Sequence, residues 1–255
     1  MQVIANGMVV ASTRSPAQGA VSSTMPQPNK VFLITGASSG IGAATARAAR
    51  AAGYQLVLAA RSRDKLESLV GELGSEHALA VACDVTSFDD QQALVAAAKE
   101  RFGRIDVVFA NAGIGGSPGG FSGADPERWR QMILTNVYGA GLTLRASLAA
   151  LKESRGHLLL TGSVAGRRTL SGSMYSATKW AVSAIGYGVR EELRGTGVRV
   201  TVIEPGMVDT PFFDDPKPDA LRPEDVARSV MYAVTQPPTV DVHELMVLPT
   251  PPVEG

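Results

Sequence analysis

The sequence predicts an α/β fold, a single parallel sheet of seven strands with helices on both faces. From Lys30 onward, short runs rich in Val, Ile and Leu alternate with longer Ala-rich amphipathic stretches, the pattern of strands buried on both faces and connected by helices. The first such run passes directly through a glycine-rich turn into an Ala-rich stretch. With 255 residues, 45% of them apolar and 19% charged, the chain has material for one sizeable core.

In chain order, residues 1–29 are rich in Ser, Ala, Gly, Pro and Gln, with one Arg and no acid. They are expected to form a flexible N-terminal extension, since one Arg is too few for an organelle transit segment. Strands are expected at 30–35, 55–60, 78–82, 105–110, 156–162, 198–204 and 243–248. Helices are expected at 40–52, 63–73, 88–102, 125–152, 173–195 and 223–235. The last opens on Pro223-Glu224-Asp225, with Pro in the first turn and acids at the positive end of the helix dipole. No inter-domain linker interrupts the alternation, so residues 30–255 read as one domain.

Composition excludes several functions. Lys plus Arg and Asp plus Glu number 24 each, so no net field draws the protein to nucleic acid or an anionic membrane. Cys83 is the only cysteine, which rules out an internal disulfide framework and a cysteine-cluster metal site. No ligand cluster calls for a metal. No apolar run approaches the ~18 residues of a membrane span, and the N-terminus lacks the charged-then-apolar order of a secretion signal. A cytoplasmic protein is expected.

The run Val31-Phe-Leu-Ile-Thr35 leads into Gly36-Ala-Ser-Ser-Gly40-Ile-Gly42. Glycines between a strand and a helix let backbone N–H groups approach a pyrophosphate, whose charge the helix N-terminus favours. The same residues spell G-x-S-x-G around Ser38, the strand-to-helix elbow of a hydrolase nucleophile. That reading needs a later acid and histidine, but His157 and His243 fall at strand starts, and Gly42, Tyr175 and Lys179 go unexplained. At the end of the second strand stand Ala60 and Arg61. An acid there would bind a ribose 2′-OH, whereas the fixed fork of an arginine suits a 2′-phosphate.

Tyr175 and Lys179 are four residues apart. On a helix this puts them on one face, with Cβ atoms roughly 5–6 Å apart. An ammonium so placed is expected to lower a tyrosine pKa that starts at about 10 and make Tyr175 a general acid/base. Ser163 lies twelve residues upstream.

Taken together, Thr35-Gly-Ala-Ser-Ser-Gly-Ile-Gly42, Asn111-Ala-Gly113, Asn136, Ser163, Tyr175-x-x-x-Lys179 and Pro205-Gly206 resemble the short-chain dehydrogenase/reductase family, in order and in spacing, over residues 30–248. The resemblance implies a doubly wound Rossmann domain with strand order 3-2-1-4-5-6-7 and a site beyond the carboxyl ends of the strands. It implies that Gly36, Ser38, Ser39, Gly40, Ile41 and Gly42 border the diphosphate, that Asp84 with Val85 meets the adenine, and that Arg61 selects NADP(H) over NAD(H). Relatives that prefer NADP sometimes carry a second basic residue in the glycine loop, where this chain has Ser38 and Ser39. Asn111, Ala112 and Gly113 would border the adenosine ribose. Pro205, Gly206, Val208 and Thr210 would close over the nicotinamide, with Thr210 and the Val208 backbone at its carboxamide.

The same resemblance implies the catalytic roles. Tyr175 would donate a proton to a carbonyl or take one from an alcohol as nicotinamide C4 gives or receives hydride. Ser163 would hydrogen-bond the substrate oxygen. Lys179 would hold the nicotinamide ribose and lower the Tyr175 pKa, and Asn136 would position a water leading from Lys179 to solvent.

A small or medium alcohol, ketone or aldehyde is expected between the loop after Gly113, the segment 164–174 and a short lid at 207–218. Ile114, Phe121, Leu170, Met174, Met207, Phe212 and Phe213 suggest a mostly apolar pocket. Arg167 and Arg168 are candidates to meet an acidic substrate, with a solvated loop or a subunit contact the preferred reading. The long helix after Ser173 and the last edge strand suggest a homotetramer, with a dimer as second choice. The scaffold also hosts dehydration and epimerisation, and a nucleotide-binding sensor without turnover is a third class. The complete Ser-Tyr-Lys set favours oxidoreduction.

Overall fold

The fold is built on strands whose successive side chains enter two different cores. The computed structural model describes residues 29–116, 118–213 and 215–251; the expected N-terminal extension lies outside them except for Asn29. The strands are β1 (Val31–Thr35), β2 (Gln55–Ala60), β3 (Ala78–Ala82), β4 (Val107–Ala110), β5 (His157–Thr161), β6 (Arg199–Pro205) and β7 (Glu244–Val247). They form one sheet in the order β3-β2-β1-β4-β5-β6-β7, with every adjacent pair parallel, as the resemblance implies.

In β1 the side chains of Phe32 and Ile34 enter one core and those of Val31 and Leu33 the other, following the two-residue period of a strand. The first core is closed by helices α1 (Gly40–Ala51), α2 (Arg63–Leu73) and α8 (Pro223–Val234), through Ala46, Leu66 and Val230 among others. The second is closed by α3 (Phe88–Phe102), α6 (Gly139–Ser154) and α7 (Met174–Glu192), through Leu94, Leu151 and Val182. Because β1 lies between β2 and β4, the chain reverses its direction of travel across the sheet there and leaves a crevice at the carboxyl ends.

Two features depart from expectation. The helix expected at 125–152 is three segments: α5 (Pro126–Ile133), a π-helical turn at Leu134–Tyr138, and α6. Two tertiary contacts fall at the break. The Asn136 side chain bonds to Ile114 on another loop, and a Cβ on Gly139 would lie 2.9 Å from Val85 Cγ2, so only glycine allows this approach. Two short turns were also not foreseen, α4 (Gly120–Gly123) and a 3-10 turn at Val164–Gly166. Among the described residues no helix is long and apolar enough to cross a membrane.

Candidate active site

Beyond β1, the chain turns on Gly36 and Gly40, both left-handed at φ 65° and 51°. A Cβ on Gly42 would stand 2.3 Å from the Gly36 carbonyl oxygen, and one on Gly36 would stand 2.8 Å from Ala112 Cα. Side chains at these places would force strand, helix and loop apart. Ser39 caps α1 without a side-chain hydrogen bond, which leaves the first N–H groups of the helix available to an anion. Asn111 fastens the loop: its Nδ2 donates to the carbonyls of Thr35 at 3.0 Å and Gly36 at 3.3 Å, and its Oδ1 accepts from Thr161 Oγ1. The Thr35 hydroxyl in turn accepts from the N–H groups of Asn111 and Ala112. Gly36, Gly42, Asn111 and Ala112 thus meet beyond β1. Ser38 and Ile41 are half-buried and Ser39 is exposed.

At the carboxyl end of β2, Arg61 is exposed. No acid occupies Ala60. Asp84 follows β3, and its Oδ1 accepts from the N–H and hydroxyl of Thr86 at 2.9 and 2.8 Å. The Thr86 bonds, with a smaller pull from the Arg61 charge, hold the Asp84 carboxyl below its usual range. Val85 has a packing role: its side chain rests on Gly139 and its carbonyl accepts from Gln91.

Ser173 caps α7, its hydroxyl accepting from the Ser176 N–H at 3.0 Å, and this fixes Tyr175 in the first turn and Lys179 one turn further. Lys179 is buried, with Nζ donating to the Thr161 carbonyl at 2.8 Å and lying 5.6 Å from the centre of the Tyr175 ring. Asn136 Oδ1 accepts from the Ile114 N–H at 2.8 Å, while Nδ2 donates to the Ile114 carbonyl and to Thr178 Oγ1. A Cβ on Gly113 would lie 3.3 Å from Asn136 Oδ1 and 3.8 Å from Lys179 Nζ, so the glycine keeps a gap open between these two groups. Ser163 caps the 3-10 turn, its Oγ accepting from the Ala165 N–H at 3.1 Å and lying 3.4 Å from the Pro205 carbonyl.

The electrostatics correct one expectation. Burial pushes the Tyr175 hydroxyl up to about 12, and its hydrogen bond with Ser163 only partly opposes this. Burial pushes Lys179 down to about 8. The ammonium does not lower the tyrosine as the spacing suggested, because it is directed at the Thr161 carbonyl and is itself disfavoured as a cation. A tyrosine in this state keeps its proton at neutral pH, because burial disfavours its anion.

Just ahead of the lid expected at 207–218, the N–H of Gly206 bonds to the Val247 carbonyl at 2.7 Å. Val208 pairs with Leu221, but the bonds run from the Asp209 N–H to the Leu221 carbonyl and from the Leu221 N–H to the Met207 carbonyl, so Val208's own N–H and carbonyl take no part in them. Thr210 rests on the glycine loop: a Cβ on Gly40 would lie 3.1 Å from its Cγ2. Its hydroxyl also accepts from the Phe212 N–H, a turn role. Phe212 stands edge-on to Tyr175 with ring centres 5.7 Å apart and abuts Gly115. The lid therefore touches both the glycine loop and the tyrosine.

A cavity of about 230 Å³ adjoins Tyr175, walled by Trp129, Met132, Met174 and two glycine-bearing loops. Of the apolar residues expected to line it, only Met174 does. Phe121 is 62% exposed and supports Trp129 edge-on at 5.9 Å. Trp129 and Met132 were missed, although both precede Asn136 at helical spacing on one face. Arg167 is also placed differently from expectation: its Nε lies 2.7 Å from the buried Glu204, and its guanidinium also pairs with Glu244. Among the described residues no cluster of His, Cys, Asp and Glu could hold a metal.

Comparison with known proteins agrees with this fold. The family model described as short chain dehydrogenase matches residues 30–220. An uncharacterised oxidoreductase of Staphylococcus aureus strain MRSA252 is 39% identical over 87% of this chain and 97% of its own length. An alcohol dehydrogenase from the archaeon Thermococcus sibiricus, solved with 5-hydroxy-NADP, superposes with a TM-score of 0.82 at 36% identity, covering 88% of this chain and 99% of the other. A 3-ketoacyl-(acyl-carrier-protein) reductase from Brucella melitensis, solved with NADH, gives 0.79 at 30% identity over 86% and 97%.

Proposed function

The chain belongs to the short-chain dehydrogenase/reductase family of oxidoreductases, and on that premise we propose that it transfers hydride between NADP(H) and a small or medium, mostly apolar carbonyl or alcohol compound. The observation that carries the reading is the convergence of Ser163, Tyr175 and Lys179 beside the glycine loop and beneath one lid. The cradle that a Cβ on Gly36 or Gly42 would fill, and the uncapped start of α1, fit a dinucleotide diphosphate. The nicotinamide, when bound, supplies or accepts the hydride.

The residues of this chain do the rest. Tyr175 gives its hydroxyl proton to the carbonyl oxygen in reduction and recovers one from the alcohol in oxidation. Ser163 holds that oxygen by a hydrogen bond. Lys179 sits behind the tyrosine, and the gap at Gly113 between Lys179 and Asn136 is the route for replacing the proton. Phe212 and Thr210 keep water from the reacting groups, as closure over a site requires. Arg61 beside Ala60 supports NADP(H), and the two nicotinamide types bound by the structural relatives make this preference the point to test. A cytoplasmic homotetramer is the assembly that accompanies this reading.

The experiment is oxidation of NADPH and NADH by the purified protein across aldehydes, ketones and diketones, with cofactor binding followed separately. Tyr175→Phe is expected to bind NADPH as before and to lose about 10²-fold or more in turnover, the scale of a removed general acid; unchanged turnover refutes the assignment. Arg61→Ala is expected to weaken NADPH binding about tenfold while leaving NADH binding nearly unaltered, as for loss of a charge-assisted phosphate contact. An equal loss for both cofactors removes the selector role.

A further inference from the structure

We propose that Ser176 is a positioning residue for the reaction: its hydroxyl holds the turn that carries Ser163 against α7, and so sets the Ser163 hydroxyl in its place beside Tyr175. The inference rests on the hydride-transfer reading above and adds a residue to it, since that reading gives Ser176 no role.

Ser176 follows Tyr175 directly and is buried. A serine is a mediocre helix former, and an alanine would serve the helix better. The hydroxyl is directed out of its own helix instead. Its Oγ donates to the Ala165 carbonyl at 2.6 Å and lies 3.3 Å from the Arg168 carbonyl. The end of a helical turn leaves its last carbonyls without an internal donor, and here a hydroxyl on the neighbouring helix supplies one.

Ala165 is thereby held at both of its polar atoms. Its N–H donates to Ser163 Oγ at 3.1 Å and its carbonyl accepts from Ser176 Oγ. One buried residue thus joins the two hydroxyls, and the Ser163 hydroxyl in turn bonds to Tyr175. A Cβ on Gly166 would lie 2.7 Å from the Lys179 carbonyl oxygen, so the turn and α7 are in backbone contact. The ion pair of Arg167 with Glu204 ties the far end of the turn to β6, whereas Ser176 ties its middle to the first turn of α7. Without the Ser176 hydroxyl the Ala165 carbonyl is a buried acceptor that has lost its donor, a costly state. The turn relieves it by moving, and Ser163 moves with the turn. Misplacement on the order of 1 Å costs up to about 10²-fold in rate when a group must be aligned with a reacting atom.

Ser176→Ala removes the hydroxyl and keeps the backbone N–H that Ser173 caps. Two measurements are made on the full-length variant, on Ser163→Ala and on the double variant. The first needs no substrate: amide hydrogen exchange at Ala165, with Phe32, Leu33 and Ile34 of β1 as the reference for the global fold. The second is NADPH oxidation with propanal, butanone and 2,3-butanedione, giving kcat and the KM for NADPH.

Ser176→Ala is expected to speed exchange at Ala165 about tenfold, the scale of one lost hydrogen bond, and to leave β1 nearly unchanged. It should lower kcat about tenfold or more with little change in the KM for NADPH. In the Ser163→Ala background the same substitution should cost nothing further in kcat, because the residue it acts through is gone. Unchanged exchange at Ala165 overturns the proposal, as does equal acceleration at Ala165 and β1, which is a general loss of stability. An equal loss of kcat with and without the Ser163 hydroxyl overturns the action through Ser163, and so does a raised KM for NADPH at unchanged kcat. Faster exchange confined to the turn, with none of the three carbonyls reduced by the unmodified protein, upholds the hold of Ser176 on Ser163 and overturns the hydride-transfer reading instead.

Discussion

Burial moves Tyr175 and Lys179 in opposite directions although they stand one turn apart on α7. The lysine falls from 10.5 to about 8 because its ammonium is taken out of water, and the phenol rises to about 12 because its anion is. The consequence for stability has a definite sign. Below pH 8 both folded and unfolded chains hold the Lys179 proton. Between about 8 and 10.5 the unfolded chain keeps a proton that the folded one has released, so this group makes the fold more stable as pH rises. At about 1.4 kcal/mol per pKa unit, the full change is about 3 kcal/mol. Cys83, which burial raises from 9.0 to about 12, works the other way: the folded thiol keeps its proton while the unfolded one ionises, so stability falls as pH rises above 9. The informative quantity is therefore the difference between the protein and Lys179→Met. In urea denaturation from pH 7.5 to pH 10, the unmodified protein should gain on the variant steadily as pH rises. A constant difference would mean that Lys179 is not disfavoured as a cation in the fold.

At the scale of elements, glycines of one composition serve opposite purposes, and their surroundings decide which. A Cβ on Gly42 would fall 2.3 Å from a backbone oxygen, whereas one on Gly71, in α2, would meet nothing within 4 Å. Gly42→Ala should cost about 1–3 kcal/mol by overpacking and weaken NADPH binding at least tenfold by opening the loop. Gly71→Ala should stabilise the fold by about 0.5–1 kcal/mol, since it only removes backbone entropy from the unfolded chain. Thermal unfolding of the two variants with and without NADPH checks both, and similar effects of the two substitutions would contradict the contacts. The same contrast explains what could be read from the sequence. The inner strands were legible to within a residue or two because burial on both faces is a local pattern of Val, Ile and Leu. Ser163 entered through the family resemblance, whereas the glycine turn between β1 and α1 and the placement of Tyr175 and Lys179 on one helix were legible because their spacing is local as well. The π turn at Leu134–Tyr138 was not, because it accompanies a partner of Asn136 that lies twenty-two residues away. Trp129 and Met132 were hidden for a related reason: their apolar faces look like ordinary helix packing until the loops after Gly113 and before Ser173 fold against them.

For the molecule as a whole, a buried ionic group joins the parts that must stay in register. Glu204, on β6, is nearly inaccessible. It is paired with Arg167 at 2.7 Å and accepts from Ser183 Oγ at 3.1 Å. Arg167 also pairs with Glu244 on β7 and lies over the Tyr187 ring of α7. One guanidinium therefore links the turn after Ser163, the two last strands and α7. It sits just below Pro205, whose carbonyl faces Ser163. Such a pair adds little stability relative to an apolar replacement, but removing one partner strands the other charge and costs about 3–5 kcal/mol. Arg167→Met should therefore lose stability on that scale, and adding Glu204→Gln should recover part of it, because the second change removes the unpaired buried charge. Urea denaturation of the single and double variants measures the coupling. If Arg167→Met costs under about 1 kcal/mol, the figure for an exposed pair, then Glu204 is solvated in solution and the ionic link does not hold the carboxyl end of the sheet together.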